Sequence, residues 1–156
     1  MNKKILFPTD FSPASSAALA YAASLARDTG SQLLILHVED LQVAYAGGEM
    51  YVPTVATPNA ELQQMLRSIA PADKSVIYEH RLAIGSPAEE IVQIAKDEGV
   101  ELIVMGTHGR SGLSRLLMGS VAEAVVRKAP CPVLTLKQPA KEPLTNTRKQ
   151  AGAAPS

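Results

Sequence analysis

Short runs of apolar residues recur along the chain and predict its strands. Five such runs are separated by helical or irregular stretches, as expected of a buried sheet. They are Lys4 to Phe7, Gln32 to Val38, about Ser75 to Ile84, Glu101 to Met105, and Val133 to Lys137. The third run alternates only in part and carries charged residues, which favours a partly solvated position near a sheet edge.

Four of the intervening stretches have the apolar spacing and the end signals of helices. Serine followed by proline begins the first and the third, because serine caps free N–H groups and proline fits the first helical position. In the third, Ser86 and Glu89 have the spacing of a capping box. The predicted helices span about Ser12 to Asp28, Leu62 to Ile69, Ser86 to Glu98, and Ser120 to Lys128.

This alternation of strands and helices predicts an α/β fold. We expect a single-domain three-layer sandwich, in which helices cover both faces of a five-stranded parallel sheet. Ligands of such sheets bind at the carboxyl ends of the strands, where the strand order reverses. The order 3-2-1-4-5 puts the first and fourth strands side by side and the third at an edge, so we expect a site between the ends of the first and fourth.

Two segments fall outside the pattern. Residues 39–58 show no sustained period and are broken by glycine and proline, which predicts a long loop. Such a loop is either a functional segment or a surface insertion that orders only in an oligomer. Residues 139–156 are dominated by Pro, Lys, Thr, Ala and Ser, which predicts a disordered tail after a folded domain of residues 1–138.

Length and composition narrow the class of protein. With 156 residues and 46% hydrophobic content, the chain fits one compact domain. Fifteen basic and fifteen acidic residues balance, so we expect no nucleic-acid partner. The apolar run before Pro8 is too short for a signal peptide or a membrane span, which favours a cytoplasmic protein with no membrane association. The single cysteine, Cys131, provides neither a disulfide nor a metal site, and we expect it to be a small buried residue.

The segment from Met105 to Val121 has the features of a phosphate cradle. The fourth strand leads into Gly106 and Gly109, and Gly119 with Ser120 opens the last helix. Glycine lets backbone N–H groups approach an anion and adopts positive φ, while a helix N-terminus offers unpaired N–H groups and the positive end of its dipole. Thr9-Asp10, after the first strand, would lie beside this segment in the 3-2-1-4-5 order.

These residues carry a resemblance to a known family. The spacing Gly106-x2-Gly109-x9-Gly119-Ser120, with Pro8-Thr9-Asp10 and a second strand ending at Val38, resembles the universal stress protein family. The similarity covers about residues 2–137. The three-glycine motif is that of the family's ATP-binding branch and is intact here.

The resemblance implies a site for ATP, with Mg²⁺ or Mn²⁺. Asp10 would contact the ribose, the Val38 backbone would bind the adenine, and the three glycines would let the chain wrap the phosphates. The binding residues implied in this way are Pro8, Thr9, Asp10, Val38, Met105, Gly106, His108, Gly109, Arg110, Gly119, Ser120 and Val121. It also implies a homodimer through the strand from Val133 to Lys137, an apolar edge that can pair with a second copy.

Structural interpretations stand beside these assignments. The glycines could form a tight turn and a helix entry, and Asp10 could bond only the N–H groups of its own turn. Arg110 suits a phosphate, whereas Arg115 could equally be a solvated charge. His37 and His80 lie inside strand runs, which is typical of structural histidines.

No catalytic site can be assigned from the residues. The sequence has no G-x-x-x-x-G-K-[ST] motif, no placeable Ser-His-Asp or Cys-His arrangement and no metal-ligand spacing among its histidines. We therefore expect an ATP-binding regulatory or interaction module of the stress response, more a binding protein than an enzyme, with slow or absent hydrolysis. The alternatives are a chaperone-like interaction module with a vestigial pocket, and a slow ATPase.

Overall fold

A five-stranded parallel sheet forms the centre of the molecule. The computed structural model describes residues 2–40, 44–46, 49–51, 59–107 and 118–137. The sheet strands are β1 (Lys4–Pro8), β2 (Gln32–Asp40), β5 (Tyr78–Gly85), β6 (Leu102–Gly106) and β7 (Val133–Leu136). Their order is β5-β2-β1-β6-β7. The predicted order 3-2-1-4-5 is therefore confirmed.

Four helices cover the two faces of this sheet. They are α1 (Pro13–Thr29), α2 (Ala60–Ser68), α3 (Pro87–Asp97) and α4 (Ser120–Lys128). Residues of α1 and α2 share one core cluster with Ile35, while residues of α3 and α4 share a second with Leu34 and Leu36. Because successive strand side chains point to opposite faces, β2 supplies both clusters, and the three-layer sandwich is confirmed.

Burial decreases from the centre of the sheet to its edges. Leu33 through Leu36 of β2 are completely buried, as expected of a central strand covered on both faces. The edge strand β5 is only partly buried throughout most of its length and carries Arg81, whose guanidinium pairs with Glu98 at 2.9 Å. The sequence-based expectation of a partly solvated edge strand is confirmed.

The ends of α1 follow the sequence signals. The Ser12 hydroxyl accepts a hydrogen bond from Ser15 N–H, and Pro13 occupies the first turn. At the other end Gly30 has φ +66°, the left-handed conformation that closes a helix at low cost only when the residue is glycine. Between them the alanines at positions 18, 22 and 26 are buried, so α1 lies close to the sheet.

The predicted capping box at α3 is wrong. Ser86 is the N-cap residue, but its side chain makes no cap hydrogen bond and is exposed. Pro87 removes one of the free N–H groups of the first turn, and water at this exposed end can satisfy the others.

The prediction of a loop over residues 39–58 is also wrong in part. β2 continues to Asp40, and β3 (Ala44–Ala46) pairs antiparallel with β4 (Glu49–Tyr51). The sequence signal for this hairpin is the Gly47-Gly48 dipeptide, since paired glycines are typical of tight turns between antiparallel strands. The remaining residues of this segment, and the predicted tail at 139–156, lie outside the described residues.

Two further expectations concern Cys131 and the membrane. Cys131 packs beside the cluster under α3 and α4 but is only half-buried, because it lies near the edge strand β7. Its partial burial raises the pKa of its thiol. Within the described ranges, no helix has the length and apolarity needed to cross a bilayer.

Candidate functional site

A pocket of about 400 Å³ opens at the carboxyl ends of the strands. Its walls come from the ends of β1, β2 and β6 and from the first turns of α3 and α4, which is the position where ligands bind in sheets of this type. Nine residues predicted from the sequence line it, namely Pro8, Thr9, Asp10, Val38, Met105, Gly106, Gly119, Ser120 and Val121.

Three predicted site residues, His108, Gly109 and Arg110, lie outside the described residues, as does Arg115. Other residues line the pocket that were not predicted from the sequence to belong to the site. These are Ser15, Leu36, His37, Asp40, Pro87, Ile91, Thr107 and Ala122. Ile91 and Ala122 have the spacing of ordinary core positions, so no local signal separates them from the rest of their helix faces. Asp40 could have been noticed as one of the two carboxylates, with Glu39, that directly follow the apolar run from Gln32 to Val38.

The end of β2 extends beyond β1 into the pocket. The last paired positions of the two strands are Pro8 and Leu36, and Thr9 N–H donates to the Leu36 carbonyl at 2.8 Å. On the other side, Leu33 N–H donates to Ile77 of the β5 side. Since backbone groups alternate between the two sides of a strand, those of Val38 point past the end of β1. An N–H donor and a C=O acceptor therefore face the pocket.

Asp10 is held in the turn that joins β1 to α1. Its Oδ1 accepts hydrogen bonds from Ser12 N–H at 2.9 Å and from Ser15 Oγ at 2.7 Å. Burial raises the pKa of this carboxyl, but the hydrogen bonds from Ser12 and Ser15 together outweigh it and hold the pKa below its ordinary value of 3.8. Asp10 does bond its own turn, as the structural interpretation expected, and it lines the pocket as well.

The first turn of α4 returns to the end of β6. Gly119 N–H donates to the Thr107 carbonyl at 2.7 Å, and Thr107 N–H donates to Leu136 of β7 at 3.0 Å. The N-cap residue of this helix is Gly119, which has no side chain that could cap it. The N-terminus of α4, with Ser120 and Val121 in its first turn, therefore presents its positive dipole end at the pocket, as an anion would require.

The structure bears on one part of the glycine prediction, the positive φ. Neither Gly106 nor Gly119 has a positive φ. A Cβ added at Gly106 would lie 3.4 Å from the Cβ of Ala14, on the face of β6 that α1 covers. That distance is at the short end of an ordinary van der Waals contact, so the first turn of α1 lies close to this glycine.

Both strand histidines have structural partners. His37 Nδ1 lies 2.7 Å from the Thr9 carbonyl, and His80 Nε2 lies 2.7 Å from the Ile69 carbonyl. Because a carbonyl only accepts, the bonded nitrogen carries the proton in each ring. The prediction of structural histidines is confirmed.

The pocket can accommodate a charged ligand but does not hold a ready metal cage. Two carboxylates, Asp10 and Asp40, line it, and the described part of the chain has no group of three His, Cys, Asp or Glu side chains placed to bind a metal. Mg²⁺ commonly binds through one or two carboxylates together with the phosphates of a ligand. The donor set therefore fits a metal that arrives with a nucleotide.

Comparison with known proteins agrees on one family. A model of the universal stress protein family matches residues 1–137. Universal stress protein MJ0531 of Methanocaldococcus jannaschii is 36% identical over 145 residues, which cover 90% of this chain and 85% of that protein.

Solved structures give the same result. The structure of MJ0577, a universal stress protein of the same organism, is 31% identical with a TM-score of 0.64, and the match covers 88% of this chain and 97% of that one. A universal stress protein from Archaeoglobus fulgidus in complex with dAMP is 22% identical with a TM-score of 0.58, covering 88% and 98% of the two chains, and it is similar in fold.

The Asp10 turn makes stability depend on pH in a testable way. Because the folded pKa of Asp10 is lowered, its ionised form contributes stability above pH 3.8, and this contribution is lost as the pH falls through the folded value. Ser15→Ala removes one hydrogen bond to the carboxylate. We expect the pKa of Asp10 to rise and the variant to be less stable at pH 7, with a deficit that shrinks below pH 3.8. NMR titration of the carboxyl groups measures the pKa of Asp10, and urea unfolding at several pH values measures the stability. An unchanged pKa of Asp10 in Ser15→Ala would contradict the role assigned to the Ser15 hydrogen bond.

Proposed function

Because this chain belongs to the universal stress protein family, we propose that it binds ATP and acts as a nucleotide-dependent regulatory or interaction module in a stress response. The observation that carries the proposal is the pocket itself. Residues from β1, β2, β6 and α4, far apart in the sequence, line one cavity whose volume is within the ordinary range for small-molecule sites.

The shape of the pocket supports one orientation of the nucleotide. The backbone N–H and C=O of Val38 offer the donor and acceptor pair that the edge of an adenine can match, and apolar walls from Ile91 and Met105 lie nearby. Asp10, ionised at neutral pH, accepts hydrogen bonds from the ribose hydroxyls. The uncapped N-terminus of α4, at Ser120 and Val121, receives the phosphates.

The remaining contacts follow from the family resemblance. Gly109 allows the segment after β6 to approach the phosphates. His108 adds a contact through its backbone, and Arg110 adds one through its guanidinium. Bound Mg²⁺ or Mn²⁺ would neutralise phosphate charge, with Asp10 as the protein carboxylate nearest to the ribose and phosphates.

The proposed role is binding with slow or absent turnover. The sequence lacks the P-loop lysine that holds the β- and γ-phosphates in P-loop enzymes. One carboxylate oxygen of Asp10 already accepts hydrogen bonds from Ser12 and Ser15. Because these hydrogen bonds lower the pKa of Asp10, its carboxylate is a weak general base. We propose that a partner, or the second subunit of a dimer, responds to whether ATP is bound.

The direct test is to determine whether the purified protein carries a bound nucleotide and whether it binds added ATP. We expect denaturation of freshly purified protein to release an adenine nucleotide, and isothermal titration of the stripped protein to show ATP binding in the presence of Mg²⁺. GTP is the control, because its base presents a different donor and acceptor edge to the Val38 backbone. Absence of binding at millimolar ATP would contradict the function, and rapid release of ADP would favour the ATPase alternative.

A bulky side chain at the start of α4 should block the phosphates. We expect Gly119→Val to weaken ATP binding at least about tenfold, or ~1.4 kcal/mol, because the added atoms line the pocket beside Ser120. Gly99→Ala is the matched control: Gly99 has φ +61° with open space around it, so the change costs about 1 kcal/mol of stability but leaves affinity unchanged. Unchanged affinity in Gly119→Val would show that this glycine does not adjoin the phosphates.

We also propose that two chains pair through β7. This strand has β6 as its sheet neighbour on one side, and no strand of the described part of the chain pairs with its other side. Ile103 N–H donates to the Pro132 carbonyl and Thr107 N–H to that of Leu136, so backbone groups at even positions face β6. Those of Val133 and Thr135 therefore face outward, available to a second copy.

A proline at Thr135 should separate the subunits. Thr135→Pro removes an outward N–H donor and leaves the hydrogen bonds of Leu136 to β6 in place, so we expect a shift from dimer to monomer in light scattering with retained secondary structure. Thr135→Val keeps the donor and should remain dimeric. If Thr135→Pro stays dimeric, the subunits pair through another surface.

A further inference from the structure

We propose that His37 is a positioning residue for the pocket: from the α1 face of the sheet, it holds the β1–α1 turn in the conformation that presents Asp10 to a ligand. The proposal rests on the proposed function for its ligand. It differs from that function because it assigns a role to a residue which the family motif does not include and whose ring need not touch the nucleotide.

The first observation is the way in which β2 holds Thr9. Thr9 N–H donates to the Leu36 carbonyl at 2.8 Å, and the His37 Nδ1–H donates to the Thr9 carbonyl at 2.7 Å. Two consecutive residues of β2 therefore hold both backbone groups of the residue that precedes Asp10. The imidazole takes the place of the next rung of the ladder, where β1 has already ended.

The second observation is the conformation of Phe11. Its φ is +64°, a left-handed value that is strained for a bulky residue and persists only where neighbours impose it. The Phe11 ring lies against that of His37, with centroids 4.3 Å apart at 39°, and Phe11 N–H donates to Thr9 Oγ1 at 3.1 Å. His37 therefore contacts the turn on both sides of Asp10.

The third observation is the face of the sheet from which His37 acts. Leu36 and Val38, its neighbours in β2, belong to the cluster under α3 and α4, whereas Ile35 belongs to the cluster under α1. By alternation the imidazole points to the α1 side, where it meets Phe11. Because Asp10 is fixed to Thr9 and Phe11 by covalent bonds, and to Ser15 by its carboxylate, it follows the turn that His37 holds.

His80 provides a matched control within the same sheet. It lies on the neighbouring strand β5, bonds the Ile69 carbonyl at 2.7 Å through Nε2, and contacts Tyr78 edge-on at 5.4 Å. The interaction has the same chemistry as that of His37, but Ile69 follows α2 and does not line the pocket at the strand ends. Removing the His80 hydrogen bond therefore shows how much ATP affinity changes when any strand histidine of this sheet is lost.

The experiment compares three variants by isothermal titration with ATP and Mg²⁺. His37→Phe keeps a ring against Phe11 but loses the donor, and we expect affinity to fall at least about tenfold. His37→Asn places an amide N–H near the position of Nδ1, so it should recover part of this loss. His80→Phe should bind within about twofold of wild type, whatever its stability. Wild-type affinity in His37→Phe, or an equal loss in His80→Phe, would overturn the proposal.

A second background tests whether His37 acts through Asp10. If it does, His37→Phe adds almost nothing to the loss caused by Asp10→Asn, whereas independent effects would multiply. Carboxyl NMR gives a measurement that needs no ligand: the pKa of Asp10 should rise in His37→Phe and stay low in His80→Phe. Failure of wild type to bind ATP would overturn the proposed function alone, while an unchanged Asp10 pKa in His37→Phe would overturn the positioning role alone.

Discussion

The site depends on a difference in strand length at the middle of the sheet. β1 ends at Pro8, opposite Leu36, while β2 continues to Asp40. A strand that extends beyond its neighbour presents backbone donors and acceptors that the sheet does not use, and these are what a planar base can bind. The same early end of β1 sends the chain into α1 and leaves space between β2 and β6 for a ligand.

Close packing on both faces keeps that opening in place. The five-residue strands β1 and β6 are held by helices on either side, and the first turn of α1 lies close to Gly106 of β6, where an added Cβ would be 3.4 Å from the Cβ of Ala14. Asp10, which begins the turn into α1, is therefore placed by helix packing as well as by its own hydrogen bonds.

Charges in the pocket are arranged in a way that binding can exploit. The carboxylate of Asp10 is kept ionised by its hydrogen bonds from Ser12 and Ser15, and the positive end of α4 lines the same cavity. A nucleotide has hydroxyls for the former and phosphates for the latter. Both groups are held by hydrogen bonds within the chain itself, which reduces the ordering cost of association.

Local chemistry was enough to predict much of the molecule. Apolar periodicity predicted the five strands of the sheet and the four helices, and Ser12-Pro13 predicted the start of α1, because each of these signals acts over a few residues. Alternating βα units predicted a parallel sheet, and the family resemblance pointed to Asp10, Gly106 and Gly119, all of which line the pocket.

Tertiary structure decided what depends on neighbours distant in the sequence. Ile91 and Ala122 line the pocket although their patterns are those of core residues, and His37 reaches the turn of Asp10 from another strand. These roles arise only where the end of one strand, the start of a helix and the face of a sheet come into contact. Because these elements are distant in the sequence, no local pattern of residues can predict the contact.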